Sequence, residues 1–251
     1  MKWIAVSISM LIGIVACSSE PASPSGSLPV VQNLRVNETE TKGDTVVLEW
    51  DALTVQVDGY HVYWSSSSPG TWHEYVVNDT TVTEIAETTR YYYVKASRGL
   101  DYSSGNSNQV DTKGTYIYGP FILTAGSSSN GILFYEDAAG VATGVADSSE
   151  FAQDIYIDMV NSQLYFFSGD HNSVEYPGGN HTPLCPVTTS IAPDPGSSVW
   201  VDSVLVTSSS YYYGHLSNDH YIQFYVDSVF SDGAYISSVN YQTIAGLRLL
   251  P

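Results

Sequence analysis

The alternation of apolar and polar residues, over short stretches that end in turn-forming residues, most strongly limits the folds open to this chain. Tyr92, Val94 and Ala96 share one parity within such a stretch. Near the C-terminus, the run YYYGHLSNDHYIQFYVDSVFSDGAYISSVNYQT reads as three strands separated by Ser-Asn-Asp and Ser-Asp-Gly turns. The 20 tyrosines and the many valines and threonines also favour strands. After residue 20, no apolar pattern of helical period reaches the length of a helix. The sequence therefore predicts an all-β protein with antiparallel sheets.

Residues 1–16 have the features of a secretory signal. Lys2 precedes an apolar run that ends at Ala16, and this run is shorter than the ~20 apolar residues that span a bilayer. The tetrapeptide Ile-Val-Ala-Cys at 14–17 resembles the lipobox of bacterial lipoproteins. The resemblance implies that the signal is cut before Cys17, that its thiol carries a diacylglycerol, and that its new amino group is acylated.

The residues that follow suggest where such a protein would be held. Residues 17–27 are rich in Ser and Pro, which predicts a flexible tether. Ser18, rather than an aspartate, follows the cysteine, and the resemblance to the sorting rule of enteric-type bacteria implies the outer membrane. We therefore expect a protein of the cell envelope that contacts the membrane through its lipid anchor.

A first group of motifs lies within residues 28–113. In chain order the motifs are Pro29 with Leu34 and Val36, Leu48-Glu49-Trp50, residues 59–63, residues 92–96, and Ser107-Asn108. Together they resemble a fibronectin type III domain. The resemblance implies a two-sheet sandwich, with Trp50 packed against the tyrosine of the third strand and the other motif aromatics also in the core. It leaves open whether Tyr91 or Tyr92 takes the corner-tyrosine position of the family.

Residues 115–251 continue the β pattern and predict a second antiparallel β domain. The candidate strands are 116–123, 131–136, 153–159, 163–168, 199–206, 211–216, 220–229, 234–242 and 245–250. Residues 169–198 are expected to form a long loop with five prolines. Loops of this length are uncommon unless they have a function or are disordered.

Part of the second domain carries a further resemblance. The segment 211–229, with YISSVNYQT after it, resembles the C-terminal part of HmuY-like haem-binding lipoproteins of Bacteroidetes, and also other uncharacterised β-rich lipoprotein domains. That family holds haem between two loop histidines. In this chain, His171 and His181 lie in the long loop, whereas His215 and His220 flank a turn, and neither pair maps onto the family motif.

Binding residues tend to lie on loops that a rigid scaffold holds in place. We therefore expect ligand contacts from the four histidines His171, His181, His215 and His220 and from neighbouring tyrosines. Tyr212 is the candidate for stacking on a sugar ring, because tyrosine offers apolar faces and a hydroxyl. We interpret the chain as a non-catalytic binding, adhesion or structural surface module. The alternatives are a haem or small-ligand carrier and a carbohydrate-binding accessory protein.

Charge and motif content argue against several other functions. The formal net charge is -18, and residues 115–251 contain 13 acidic residues but a single base, Arg248. Such a chain repels nucleic acid and lacks the basic clamp that enzymes use on phosphates or carboxylates. The segment HEYVV at 73–77 lacks the second histidine of a zinc-protease motif. We predict no enzymatic activity, no nucleic-acid partner and no metal site. We also predict no intrachain disulfide, because lipidation of Cys17 leaves Cys185 without a partner thiol.

Overall fold

The structure is a computed structural model that describes residues 27–127, 129–136, 142–146, 153–171 and 178–251. Within these ranges every regular element is a β-strand, and the strands pair antiparallel in four sheets. The all-β prediction is confirmed. The described ranges contain no helix long and apolar enough to cross a membrane. The predicted signal, Cys17 and the tether up to residue 26 lie outside the described residues.

The first sandwich is built by strands β1 to β8. Their bounds are β1 (Arg35–Val36), β2 (Thr45–Glu49), β3 (Gly59–Ser65), β4 (His73–Val77), β5 (Thr81–Ile85), β6 (Tyr91–Arg98), β7 (Asp101–Tyr102) and β8 (Val110–Asp111). One sheet has the order β1-β2-β5, and the other has the order β4-β3-β6-β7, with β8 also pairing with β6. This arrangement of two short-stranded sheets is the fibronectin type III sandwich that the motifs predict.

Aromatic residues from successive strands form the first core. The rings of Trp50 and Tyr60 are both buried and meet edge-on, with centroids 5.5 Å apart, a favoured arrangement of two aromatic rings. Tyr92 is fully buried and its hydroxyl donates to the Glu84 carboxylate, whereas Tyr91 is only partly buried. The contact predicted for Trp50 is confirmed, and Tyr92 is the inward-facing member of the tyrosine pair.

The second sandwich is built by strands β9 to β18. Their bounds are β9 (Thr115–Thr124), β10 (Gly131–Glu136), β11 (Ala142–Ala146), β12 (Ile155–Val160), β13 (Gln163–Ser168), β14 (Leu184–Pro186), β15 (Ser203–Leu205), β16 (Ser210–His215), β17 (Tyr221–Phe230) and β18 (Gly233–Tyr241). The sheet orders are β11-β10-β12-β13-β15 and β14-β16-β17-β18-β9. Their facing sides share one buried cluster, in which Phe166 packs edge-on against Tyr212 and Phe224. The second antiparallel β domain is therefore also a two-sheet sandwich.

Most candidate strands of the second domain are present, but three details differ. Residues 245–250 form isolated bridges rather than a strand, because their partners Gly43 and Ile191 belong to separate segments. The expected loop 169–198 contains β14, which pairs with β16. Strand β11 was not predicted, because its alanines, glycine and threonine give no apolar alternation.

The C-terminal tail, residues 242–250, returns to the first sandwich. At Gly43, the N–H donates to Gly246 O and the carbonyl accepts from the Arg248 N–H, each at 2.7 Å. Three tail side chains are buried in the same cluster as Trp50: Ile244, Leu247 and Leu249. The first core therefore contains side chains from both predicted domains.

Gln242 sits at the junction between the two sandwiches and has no exposed surface. Its side-chain N–H groups donate to the carbonyls of Thr112 (3.1 Å) and Leu249 (2.6 Å). Its side-chain oxygen accepts from the Ile244 N–H at 3.1 Å. One buried amide thus makes hydrogen bonds to backbone groups of the tail and of the connection between the sandwiches. Buried polar groups are stable only when they have such partners.

Candidate functional site

Two of the four predicted histidines line one pocket. The hairpin between β16 and β17 carries His215 at its start, and the segment before β14 brings His181 beside it. The pocket, of about 370 Å³, is completed by Pro183, Leu216, Ser217 and Asp219. The structure therefore brings together two histidines that lie far apart in the sequence.

Each of these histidines already has a carboxylate partner. His181 Nδ1 lies 3.0 Å from an Asp170 oxygen, and His215 Nε2 lies 2.9 Å from an Asp219 oxygen. The His215 ring also stacks on Tyr221, with centroids 4.5 Å apart and planes 12° apart. These contacts fix the ring positions and occupy one nitrogen of each ring.

The other two predicted histidines lie elsewhere. His171 packs against Phe167, with centroids 4.7 Å apart. His220 Nδ1 donates to the Gln242 carbonyl (2.7 Å), and its ring packs on Tyr241, a residue of the second core. The His215 and His220 rings therefore lie on opposite sides of the sheet. The described residues contain no group of three or more His, Cys, Asp or Glu that could hold a metal ion.

The structure does not support Tyr212 as a sugar-stacking residue. Its ring is 2% exposed and packs against Phe166 and Phe224, and its hydroxyl donates to the Leu205 carbonyl at 2.9 Å. A ring in this position has no face open to a ligand. The preceding residue, Tyr211, is 47% exposed and packs on Tyr225, with centroids 4.6 Å apart.

Tyr211 stands between two adjoining pockets. One lies on the outer face of the β14-β16-β17-β18-β9 sheet, and the other lies where the start of β16 meets β15 of the opposite sheet. Val187 and Tyr211 line both pockets, which have volumes of about 540 and 470 Å³. We call these two pockets together the Tyr211 groove. Its larger half also contains Tyr116, Gln223, Ser238 and Asn240, which the sheet register places side by side. Pockets of this size are typical of small-ligand sites.

Buried hydrogen bonds hold the floor of the groove. Asn240 donates to Gln223 Oε1 (3.2 Å), Gln223 donates to the Tyr213 hydroxyl (3.5 Å), and that hydroxyl donates to the Thr189 carbonyl (2.6 Å). Burial raises the pKa of Tyr213 to about 12, so its hydroxyl keeps its proton at neutral pH. These bonds therefore fix the segment around Thr189 relative to the Asn240 and Gln223 amides.

The Tyr211 groove has no charged side chain among the residues that line its two pockets. Its polar atoms come from amides and hydroxyls. Sequence reasoning missed Tyr116, Gln223 and Asn240. One sequence feature could have indicated Gln223. It alternates with Tyr221 and Tyr225 on the same face of β17, so it is a polar residue on an otherwise aromatic face.

A buried carboxylate lies at the start of β12. Asp154 accepts a hydrogen bond from the Phe134 N–H (2.6 Å) and one from the Asn180 side chain (2.9 Å). Burial raises the pKa of this carboxyl to about 6, although the two hydrogen bonds act in the opposite direction. Because it is enclosed and already bonded, Asp154 joins β10 to the 178–181 segment rather than facing a ligand.

An aromatic row crosses the outer face of the first sandwich. Tyr63 and Tyr93 stack 4.6 Å apart, and Trp72 meets Tyr93 edge-on at 4.6 Å. Hydrogen bonds from His61 and Tyr63 lower the pKa of the Glu74 carboxyl beside them. Core packing is therefore the wrong expectation for Tyr63 and Tyr93, because they occupy the outward parity of their strands.

The comparisons with known proteins concern only the general architecture. No protein-family model and no curated protein sequence matches this chain. Among solved structures, a DUF4466 family protein from Parabacteroides merdae ATCC 43184 is similar at 10% identity and a TM-score of 0.37, over 88% of this chain and 96% of that chain. A two-domain fibronectin type III segment of chicken tenascin is similar at 14% identity and a TM-score of 0.28, over 83% and 96%. What this chain binds has to be inferred from its own residues.

Proposed function

We propose that this chain is a non-enzymatic binding module of a bacterial cell envelope, held at the outer membrane by a lipid on Cys17. The observation that carries the proposal is the order of features along the sequence. A short signal ends in the lipobox-like Ile-Val-Ala-Cys, a Ser/Pro-rich tether follows, and the first buried core residue is Leu28.

The short tether fits this arrangement. The roughly ten residues between Cys17 and Leu28 span at most ~35 Å when fully extended. The first sandwich would therefore stay close to the membrane, and the second sandwich would carry the ligand-binding surface. Two or more acyl chains give a lasting anchor, because each buried CH2 contributes ~0.8 kcal/mol.

A binding role also fits the chemistry of the described residues. The concave surfaces of the second sandwich include the pocket of His181 and His215 and the Tyr211 groove. The first pairs each histidine with a carboxylate, and the second contains amides, hydroxyls and tyrosine rings.

The anchor is tested by metabolic labelling with a palmitate analogue in a bacterium that processes lipoproteins. We expect the wild type to label, to partition into detergent and to fractionate with the outer membrane. Cys17→Ala should abolish labelling and partitioning. Cys185→Ala is the matched control, because Cys185 is a buried free thiol and its loss should leave both unchanged. Unlabelled, full-length wild-type protein in the soluble periplasm would contradict the proposal.

A further inference from the structure

We propose that the Tyr211 groove binds a neutral oligosaccharide. The inference rests on the proposed role as a binding module and names the chemical class of its ligand. Three observations carry it: exposed tyrosine rings at the groove, fixed amides and hydroxyls on its floor, and the absence of charged side chains among its lining residues.

The tyrosines supply the apolar part of the recognition. Tyr211 is 47% exposed and Tyr116 is 46% exposed, and both line the larger half of the groove. Tyr225 packs against Tyr211 and holds its ring. A sugar ring presents C–H groups on its faces, which pack on aromatic rings. Because Tyr211 also lines the smaller half, a chain of several sugar units could continue past it on both sides.

The amides supply the polar part. Sugar hydroxyls both donate and accept hydrogen bonds, and a carboxamide offers both kinds of partner. Asn240 and Gln223 lie next to each other on neighbouring strands and are bonded to each other. Gln223 is 4% exposed and is held through Tyr213 to the Thr189 backbone. It therefore positions the Asn240 amide, and the half-buried Asn240 is the amide that meets the ligand. A fixed donor and acceptor set binds with less loss of conformational entropy.

The absence of charged side chains in the groove favours neutral ligands over anionic ones. An anionic glycan, a phosphate or the propionates of haem would find no cation among the side chains lining the groove. The chain as a whole carries a net charge of -18, which repels anions further. A purely apolar ligand would take the half-buried Asn240 amide and the groove hydroxyls out of water and offer them no hydrogen bond, which is unfavourable. A neutral glycan satisfies both conditions.

The test is a binding measurement on the purified full chain in detergent. The probes are neutral hexasaccharides of glucose, mannose and xylose in α and β linkages, with hexagalacturonate as the anionic counterpart. We expect at least one neutral probe to bind and hexagalacturonate not to bind. Tyr211→Ala should weaken the binding at least tenfold, whereas Tyr211→Phe should stay within about threefold, because the ring is retained.

Tyr102→Ala is the matched control, because Tyr102 is 45% exposed but lies on the first sandwich. It should bind as the wild type does. If Tyr211→Ala does not fold, Tyr116→Ala replaces it with the same expected loss. Failure of every neutral probe, binding that survives both tyrosine changes, or equal binding of hexagalacturonate would overturn the inference. None of these results alters the palmitate-labelling test, so the anchor and the ligand are judged separately.

Discussion

Replacing Leu247 with alanine removes a tail side chain from the core of the first sandwich. Leu247 is fully buried in the same cluster as Leu48 and Trp50. The lost carbon atoms correspond to roughly 2 kcal/mol of transfer free energy, at ~0.8 kcal/mol per buried CH2. The cavity left behind adds to this, and Leu→Ala changes in closed cores cost ~2.7–5 kcal/mol. We therefore expect Leu247→Ala to lower the free energy of unfolding by about 3–4 kcal/mol.

The location of the effect matters as much as its size. Urea unfolding followed by circular dichroism gives the total loss, and amide hydrogen exchange read by mass spectrometry assigns it to peptides. Protection should fall in β2, β3 and β6, although the mutated residue belongs to the other end of the chain. Leu100→Ala is the matched control, because Leu100 is 97% exposed and its loss should change stability by less than about 0.5 kcal/mol. Loss of protection confined to β9–β18 would refute the reasoning that the tail completes the first core.

Three further outcomes follow from the structure. Trp50→Ala should lower the free energy of unfolding by ~3–5 kcal/mol. Trp50→Phe should lower it clearly less, because the indole N–H is buried without a hydrogen-bond partner and its removal leaves no new unpaired group. Equal losses of stability in urea unfolding would contradict this. Asp154 holds its proton more tightly in the folded state, where its pKa is about 6, than in the unfolded state, so its contribution to stability falls as pH rises from about 4 to above 6. Asp154→Asn should remove that dependence, and the stability of the variant relative to wild type should rise by about 1–2 kcal/mol between pH 5 and pH 7.5; a constant difference would show that the carboxyl is not perturbed. Hemin titration should give no bis-histidine Soret band, because the pocket of His181 and His215 offers the haem propionates Asp219 but no Lys or Arg. A band that His215→Ala abolishes would restore the haem alternative.

The sequence predicts the strands well where the signal is local. The bounds of β10 and β13 agree with the prediction because apolar alternation and turn residues define them within a few positions. The hairpins from β16 to β18 follow for the same reason, since Ser-Asn-Asp and Ser-Asp-Gly turns separate them. Residues 245–250 have a similar apolar content, but their hydrogen-bond partners lie in remote segments, and no local pattern records that.

The groove could not be predicted because its walls come from remote parts of the chain. Alternation shows that Tyr211 and Tyr213 share one face of β16 and that Tyr212 occupies the other. It does not show which face meets the core, because both faces carry tyrosine. Tyr213 is itself buried, since the proline-rich segment after β14 folds over it.

The grouping of the histidines could not be predicted from the sequence either. His215 and His220 are close in sequence but separate in space, whereas pairing of β14 with β16 brings His181 to His215.

The return of the tail to the first sandwich changes how a pulling force would travel through the molecule. A lipid at Cys17 would pull on the first sandwich, and a ligand in the Tyr211 groove would pull on the second. If only the connection near Thr112 joined the sandwiches, that connection would stretch first. The tail adds a second connection, held by the buried leucines at 247 and 249 and by the Gln242 amide. The sandwiches can separate only after these groups are pulled out of the core, so under tension the two would respond as one stiff body.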